Sequence, residues 1–249
     1  MIRLQLLLLI ATTLSCKSQK VGQDVIVLIN VERLDRAGIA NELSIINSFN
    51  PKVVAIDLQF SQDTEYDKDI RLMQSLDKCK NLIMVSIIKG YTGEDVPYTS
   101  GFDYGSLPNF TTNAKTGFAN TILEKDDFQT IRKFSTVENM DGYYQYHFGV
   151  RVAMAFDSLK AVDFIKNNPR IVDIDYQGEK RNFKIFSASQ VLDKKVSRKD
   201  IEGKIVMVGF LGPGDEDKFF TPLNKKRDAS KPDMYGIECW AHVVAQVLE

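Results

Sequence analysis

Three short apolar runs, all rich in β-branched residues, place the tightest limit on how this chain can fold. They are VIVLINV at 25–31, VVAIDLQF at 53–60 and LIMVSII at 82–88. Unbroken apolar runs of this length are typical of strands buried on both faces of a sheet. Sheets covered on both faces are mostly parallel, so the first third of the chain predicts a parallel sheet.

Between these runs the apolar spacing becomes helical. The first interval carries one apolar helix face, formed by Leu34, Ile39, Leu43, Ile46 and Phe49. Asn50-Pro51 ends that helix, and the second interval predicts a helix over 67–80. Strand, helix, strand, helix and strand make two βαβ units, which join parallel strands by right-handed crossovers.

The rest of the chain extends this pattern into one domain. Residues 89–117 lack periodicity but contain several aromatic residues, and they predict a long loop that forms a flap or rim beside the sheet. We then expect strands at 117–123 and 130–136, a helix over 144–159 continued by 161–167, strands at 171–176 and 183–186, helical turns at 187–192 and 199–201, a strand at 205–208 and a closing helix over 235–248. The predicted fold class is α/β, a single layered domain over 25–249 with a mostly parallel central sheet and flanking helices.

A glycine-bearing loop follows the strand at 205–208. It begins at Gly209, continues through three acidic residues (Asp215, Glu216 and Asp217), and reaches Thr221-Pro222. Open α/β sheets bind ligands where their strands end, so this loop is a candidate binding element. It lacks both GxGxxG and the Lys-Ser/Thr of a P-loop, and its acids would repel phosphate, so its glycines predict a turn.

The amino terminus resembles a secretory signal. Arg3 precedes an apolar stretch at 4–14 that is too short to span a bilayer comfortably, and Cys16 follows a small residue. This pattern predicts a lipoprotein-type signal peptide over 1–15, lipidation of Cys16 and a polar tether over 16–24. A plain signal peptide or an uncleaved anchor, with Cys16 incidental, is the alternative.

Charge and residue chemistry exclude some function classes. The formal net charge of −1 gives no electrostatic case for binding nucleic acid. The acids at 57–69 carry oxygen ligands that suit a hard cation, but an acidic turn before a helix equally serves the helix dipole, and we expect neither a metal nor another cofactor. Cys79 and Cys239 are expected as buried free thiols, with a disulfide as the alternative. His242 follows Cys239 by three residues, which suits a Cys–His dyad or ordinary packing; we expect His242 to hydrogen-bond toward the loop at 217–221.

Five segments, in their shared order, resemble one family. They are VVAIDLQFSQD, GFANTILEKDDFQTIRKF, FKIFSASQVLD, IEGKIVMVGFLGPGDEDKFFTPLN and YGIECWAHVVAQVLE. Together they look like the second type of CHASE domain, the cyclase/histidine-kinase-associated sensory extracellular domain. The resemblance covers nearly the whole mature chain.

The resemblance implies an extracytoplasmic, non-enzymatic sensor facing the periplasm or cell exterior. Such domains are usually followed by membrane helices and a cytoplasmic cyclase, kinase or phosphatase, whereas this sequence ends at Glu249. It is therefore expected to be a free-standing lipoprotein version or a truncated receptor. From the strand ends and the matching segments, the expected ligand-binding residues are Asp57, Phe60, Asn120, Arg132, Gly209, Asp217, Thr221 and His242.

Three functions stay open at this point. The first is a sensory domain that binds an unknown small molecule. The second is a periplasmic metal-dependent hydrolase that uses the acidic loops. The third is an envelope scaffold that docks another envelope protein through its closing helix.

Overall fold

A computed structural model describes residue 22 and residues 24–93, 101–103, 105–177, 182–224 and 231–249. The expected signal peptide at 1–15 and the lipid site at Cys16 lie outside the described residues, as does most of the tether. None of the helices in the described part of the chain is long and apolar enough to cross a bilayer.

The described elements alternate between strands and helices along the chain. The strands are β1 (Ile26–Asn30), β2 (Val53–Asp57), β3 (Leu82–Ile88), β4 (Phe102–Asp103), β5 (Lys115–Phe118), β6 (Ile122–Leu123), β7 (Ile131–Ser135), β8 (Val137–Met140), β9 (Tyr143–Tyr146), β10 (Ile171–Asp173), β11 (Lys184–Ser187), β12 (Ile205–Gly209), β13 (Lys218–Phe219) and β14 (Met234–Tyr235). The helices are α1 (Arg36–Ser48), α2 (Tyr66–Asp77), α3 (Pro108–Thr111), α4 (Phe148–Phe156), α5 (Ser158–Asn167), α6 (Ala188–Leu192), α7 (Arg198–Ile201) and α8 (Gly236–Leu248).

The central sheet confirms the predicted fold class. Its strand order is β11-β1-β12-β2-β3, and β5 continues the sheet beyond β3. These strands are parallel, and the short β4 adds an antiparallel pair at the end of β3. Gly209 at the end of β12 lies opposite Asn30 of β1 on one side and Asp57 of β2 on the other. The carboxyl ends of these three strands are therefore aligned at one edge.

Helices cover both faces of the sheet, which explains why its strands are unbroken apolar runs. Ile26 and Leu28 of β1 pack in a core with α4, α5 and α8. Val27 and Ile29 of the same strand pack in a second core with α1, α2 and α6. Successive side chains of a strand point to opposite faces, so the four residues of β1 from Ile26 to Ile29 are all apolar.

The segment at 89–117 is more structured than a simple flap. Its described part contains β4, α3 and the start of β5, which joins the central sheet; residues 94–100 and 104 lie outside the described residues. The predicted strand at 117–123 is wrong as one unit. It divides into the end of β5, in the central sheet, and β6, which pairs with β7 in a separate sheet.

The predicted helix over 144–159 is also wrong at its start. Residues 143–146 form β9, which pairs with β8 through the turn Asp141-Gly142. Both turn residues have positive φ, 52° and 89°, which is the backbone that Asp-Gly favours in a two-residue hairpin. Helix α4 starts after His147, whose side chain accepts a hydrogen bond from the Gly149 N–H. Asp157 then separates α4 from α5 and caps α5 by accepting a hydrogen bond from the Lys160 N–H.

Helix α8 is buried on nearly every side. The expected apolar face of Ile237, Trp240, Ala241, Val244 and Val247 is buried as predicted, and so are Cys239, Val243 and Leu248. The helix packs against α4 and α5 as well as the sheet, so more than one face is covered. Cys79 and Cys239 are both buried free thiols, as expected.

Gly117 allows α4 to pack directly on β5. A Cβ atom at residue 117 would lie 2.6 Å from the Cα of Phe148 and 3.1 Å from the Cβ of Arg151. Since the first obstacle is backbone, no side-chain rotation can relieve it. We expect Gly117→Ala to lower the free energy of unfolding by about 2 kcal/mol, measured by urea denaturation.

The control for this prediction is Gly22→Ala. A Cβ atom at residue 22 would meet nothing within 4 Å. Equal urea midpoints for the two variants would show that α4 has room to move and would contradict the close packing.

Candidate functional site

A cleft of about 570 Å³ opens at the carboxyl ends of β2, β3 and β12. We call it the strand-end cleft. The chain leaves β2 toward α2 on one face of the sheet and leaves β12 toward α8 on the other. Such divergence opens a crevice beyond the strand ends, where open α/β sheets bind ligands. The strand-end cleft is lined by Arg33, Asp57, Leu58, Gln59, Val85, Ile87, Ala119, Thr121, Phe210, Glu216, Asp217, Phe219 and Trp240.

The loop after β12 forms one wall of this cleft and is held by side chains. The Asn30 side chain donates to the Gly212 carbonyl at 3.1 Å and accepts from the Leu211 N–H at 2.9 Å. The Tyr235 hydroxyl donates to the Gly214 carbonyl at 2.7 Å. Gly212 and Gly214 have φ values of 98° and 119°, which glycine adopts without strain. These glycines therefore form a turn, as predicted.

Two other glycines bring the start of α8 against the end of β12. A Cβ atom on Gly209 would lie 2.7 Å from the Cδ1 of Ile237. A Cβ atom on Gly236 would lie 3.1 Å from a carboxylate oxygen of Asp217. The Gly236 N–H donates to the Asp217 carbonyl at 2.9 Å. This packing holds Asp217 at the amino end of α8, where a helix favours negative charge.

Asp57 and Asp217 are the two carboxyl groups with unusual electrostatics in the strand-end cleft. Burial raises the pKa of Asp57 to about 7, and the charge of Asp217 acts in the same direction. Burial also raises the pKa of Asp217 to about 6. Among the described residues, no donor forms a hydrogen bond to either carboxylate. An ionised carboxylate without donors or a cation is disfavoured, which is the direction of both shifts.

Aromatic side chains form much of the remaining surface. Phe210, Phe219 and Trp240 line the strand-end cleft. The Trp240 ring stands edge-on to the His147 ring, with centroids 4.9 Å apart. Burial lowers the pKa of His147 to about 3, so its imidazole is neutral and acts as a packing group behind Trp240.

The structure brings three of the expected ligand-binding residues together. Asp57 and Asp217 line the strand-end cleft, and Gly209 lies directly behind Asp57, with its β-position 3.3 Å from the Asp57 Cβ. Their contact with a ligand stays a prediction.

Phe60 and Asn120 have other partners. The Phe60 ring is buried and packs on Phe110, with centroids 5.4 Å apart. The Asn120 side chain accepts from the Ile88 N–H at 2.8 Å and donates to the Ile88 carbonyl at 3.0 Å. Asn120 thereby extends the edge of β3, and both ends of its carboxamide are occupied.

Arg132, Thr221 and His242 also lie outside the lining of the strand-end cleft. The backbone carbonyl of Arg132 accepts from the Ile174 N–H at 2.7 Å. Thr221 binds the Asp233 carboxylate through its N–H at 2.8 Å and its hydroxyl at 2.5 Å. The His242 ring packs edge-on against Tyr176 and Phe183, with centroids 5.4 and 5.1 Å away. Ligand contact by these residues is untested.

The acidic turn before α2 is occupied by internal partners. The Asp69 carboxylate accepts from the Thr64 N–H at 2.9 Å and pairs with Arg36 at 2.5 Å. These bonds, led by the one from Thr64, lower the pKa of Asp69 to about 2. Lys68 pairs with Glu65 at 2.6 Å. Across the described ranges, no group of three or more His, Cys, Asp or Glu residues is placed to hold a metal ion.

Sequence reasoning missed Arg33, Phe210 and Trp240 as cleft residues. Arg33 and Phe210 come shortly after β1 and β12, so the strand-end rule applied to every strand would have found them. Trp240 had no such signal, because its helical spacing marked it only as a core residue.

Comparison with known proteins identifies the family. The model of the CHASE2 domain matches residues 13–249. The chain belongs to the CHASE2 family. CHASE2 domains are extracellular sensory domains and are generally non-catalytic, which supports a sensory role here. No match was found among curated proteins or among solved structures.

The raised pKa of Asp57 predicts how stability depends on pH. Its pKa is about 7 in the folded chain against a usual value of 3.8, so the folded state binds more protons between these values. The free energy of unfolding therefore falls as pH rises from about 4 to 7. Asp57→Asn removes this loss of stability. We therefore expect the Tm difference, variant minus wild type, to be larger at pH 8 than at pH 4 by at least about 3 °C.

Asp63→Asn is the matched control, since Asp63 is exposed and lies outside the strand-end cleft. Thermal unfolding followed by circular dichroism at both pH values measures the difference. If the Tm difference between Asp57→Asn and wild type is the same at pH 4 and pH 8, the pKa of the Asp57 carboxyl is not raised in the folded chain.

Proposed function

We propose that this CHASE2 chain is a non-enzymatic extracytoplasmic sensory domain that binds a small molecule in the strand-end cleft. The observation that carries the proposal is Asp57, a part-buried carboxylate without a hydrogen-bond donor among the described residues, in the lining of the cleft that opens where the connections after β2 and β12 diverge. Leaving a carboxylate in this condition costs free energy that a ligand with a donor or a positive charge would recover.

The cleft has the dimensions and surface of a ligand site. Its volume of about 570 Å³ falls within the range of small-molecule pockets. Apolar and aromatic side chains supply most of the surface, and a few charged groups supply direction. That combination is usual for sites that bind one small molecule.

The described cysteines and His147 favour binding over nucleophilic chemistry. Burial raises the pKa of Cys79 to about 11 and also raises the pKa of Cys239, so both thiols stay protonated at neutral pH. The protonated thiol is a poor nucleophile. The buried His147 imidazole is surrounded by the rings of Phe118, Phe134 and Trp240.

We further propose that a lipid on Cys16 holds the mature chain to the membrane. The apolar stretch at 4–14, the small residue before Cys16 and the polar residues after it support this proposal. Membership in an extracellular sensory family supports export.

A cleft-filling variant tests the binding function. Thr121 lines the strand-end cleft, and Thr121→Phe places a ring in it. We expect at least one of four probe classes (amines, carboxylates, sugars and phosphate esters) to raise the Tm of wild type by about 2 °C or more and to leave Thr121→Phe unmoved. Differential scanning fluorimetry measures both shifts.

The control is Thr112→Phe, which adds the same ring at an exposed position outside the cleft. It should respond to the probes like wild type. Binding at the cleft is refuted if no probe class raises the Tm of wild type, or if the Tm of Thr121→Phe rises equally.

Mass spectrometry of the same mixtures follows the probes. Their conversion to hydrolysis products would contradict the non-enzymatic assignment.

Replacement of Cys16 tests the anchor. In a Gram-negative host that expresses the full chain, we expect Cys16→Ala to move the protein from the membrane fraction to the soluble fraction and to abolish labelling with a palmitate analogue. Cys79→Ala is the control because Cys79 is buried in the domain. If Cys16→Ala stays in the membrane fraction with an unchanged mass, Cys16 does not carry lipid.

A further inference from the structure

The charges in the strand-end cleft limit what it can bind. Asp57, Glu216 and Asp217 line it with carboxylates, and Arg33 is its one cation within the described residues. Arg33, Glu216 and Asp217 are exposed toward the rim, whereas Asp57 is part-buried at the ends of the strands. A negatively charged ligand would have to pass or approach these carboxylates. The inner part of the cleft therefore favours a cation.

Asp57 and Asp217 both line the strand-end cleft, Asp57 beside Gly209 at the end of β12 and Asp217 beside Gly236 at the start of α8. Among the described residues, no hydrogen-bond donor to either carboxylate offsets their mutual repulsion. A cation placed between them would offset the repulsion, and N–H donors on that cation would satisfy both carboxylates.

The form of the cation follows from the rest of the lining. A metal ion would require further oxygen, nitrogen or sulfur ligands, and the described part of the chain supplies no group of three suitable side chains here or elsewhere. The rings of Phe210, Phe219 and Trp240, together with Leu58 and Ile87, instead offer a surface for hydrocarbon. Aromatic faces also attract ammonium groups.

We propose that the strand-end cleft binds an organic ammonium compound, with its charged nitrogen between Asp57 and Asp217 and its apolar body against Phe210, Phe219 and Trp240. This inference rests on the proposed function and adds the chemical class of its ligand. A primary amine suits this lining best, because its ammonium group has three N–H donors, enough to serve two carboxylates.

Trp240 gives a direct signal for the test. It is the single tryptophan of the chain and it lines the strand-end cleft, so intrinsic fluorescence reports on that site alone. The probes are 2-phenylethylamine, the neutral 2-phenylethanol and the anionic 3-phenylpropanoate, which share one ring and a similar length. We expect the amine to bind at least tenfold more tightly than either of the other two.

The two carboxylates should account for this preference. We expect Asp57→Asn and Asp217→Asn each to weaken amine binding at least tenfold and to leave binding of 2-phenylethanol within twofold of wild type. Asp215→Asn is the matched control: Asp215 lies on the same loop, pairs with Lys218 at 2.6 Å and lies outside the lining. Circular dichroism shows whether each variant is folded. If one of the two variants is misfolded, the other still tests the proposal.

The possible failures are distinguishable. If 3-phenylpropanoate or 2-phenylethanol binds more tightly than 2-phenylethylamine, and Thr121→Phe blocks that binding, the proposal of an amine ligand is wrong. The proposed function would still hold. If calcium chloride alone raises the Tm of wild type but not the Tm of Asp57→Asn, the ligand of the site is a metal ion and the amine proposal is wrong. If none of the three probes binds and no probe class shifts the Tm of wild type, the amine proposal and the proposed function both fail.

Discussion

The close packing of α8 on the end of β12 is the interaction on which the rest of the site depends. Gly209 has no side chain, so Ile237 can lie against the backbone at the end of the strand. Gly236 has none either, so the Asp217 carboxylate can rest on the first turn of the helix. Because β12 is flanked by β1 and β2, this one contact fixes the position of Asp217 relative to Asp57.

Carboxylates elsewhere in the chain show why the pair in the cleft is unusual. Asp69 is only 5% exposed, yet hydrogen bonds from Thr64 and the charge of Arg36 lower its pKa to about 2. Glu42 is fully buried in α1 without a hydrogen-bond partner among the described residues, and burial raises its pKa to about 8. Burial alone therefore does not set the direction; the presence of donors does. Asp57 behaves like Glu42, but it lines a cleft that a ligand can enter.

Secondary-structure elements were predictable from the sequence where burial on both faces allows only one type of element. The runs at 25–31, 53–60 and 82–88 became β1, β2 and β3 because a strand covered on both faces is apolar at most of its positions. Strand β9 was missed because the aromatic residues at 143–146 suit both a strand and a helix face, although the Asp141-Gly142 turn beside them favours a hairpin strand. Asp57 and Gly209 could be placed at the site because each ends a strand. His242 could not be placed, since helical spacing does not say which neighbours the ring meets.

The residues that carry the family resemblance leave the chemistry of the strand-end cleft open, and the structure explains why. Asn120, Thr221 and Gly209 carry part of that resemblance, and each acts on the fold: Asn120 binds the backbone of Ile88, Thr221 binds Asp233, and Gly209 admits Ile237. The surface that a ligand would touch comes largely from other positions, among them Arg33, Ile87 and Phe210. A chain could keep the first set and change the second without disturbing the packing of α8 on β12. Membership in the family therefore leaves the ligand of the strand-end cleft undecided, and the side chains around Asp57 determine which chemistry the cleft favours.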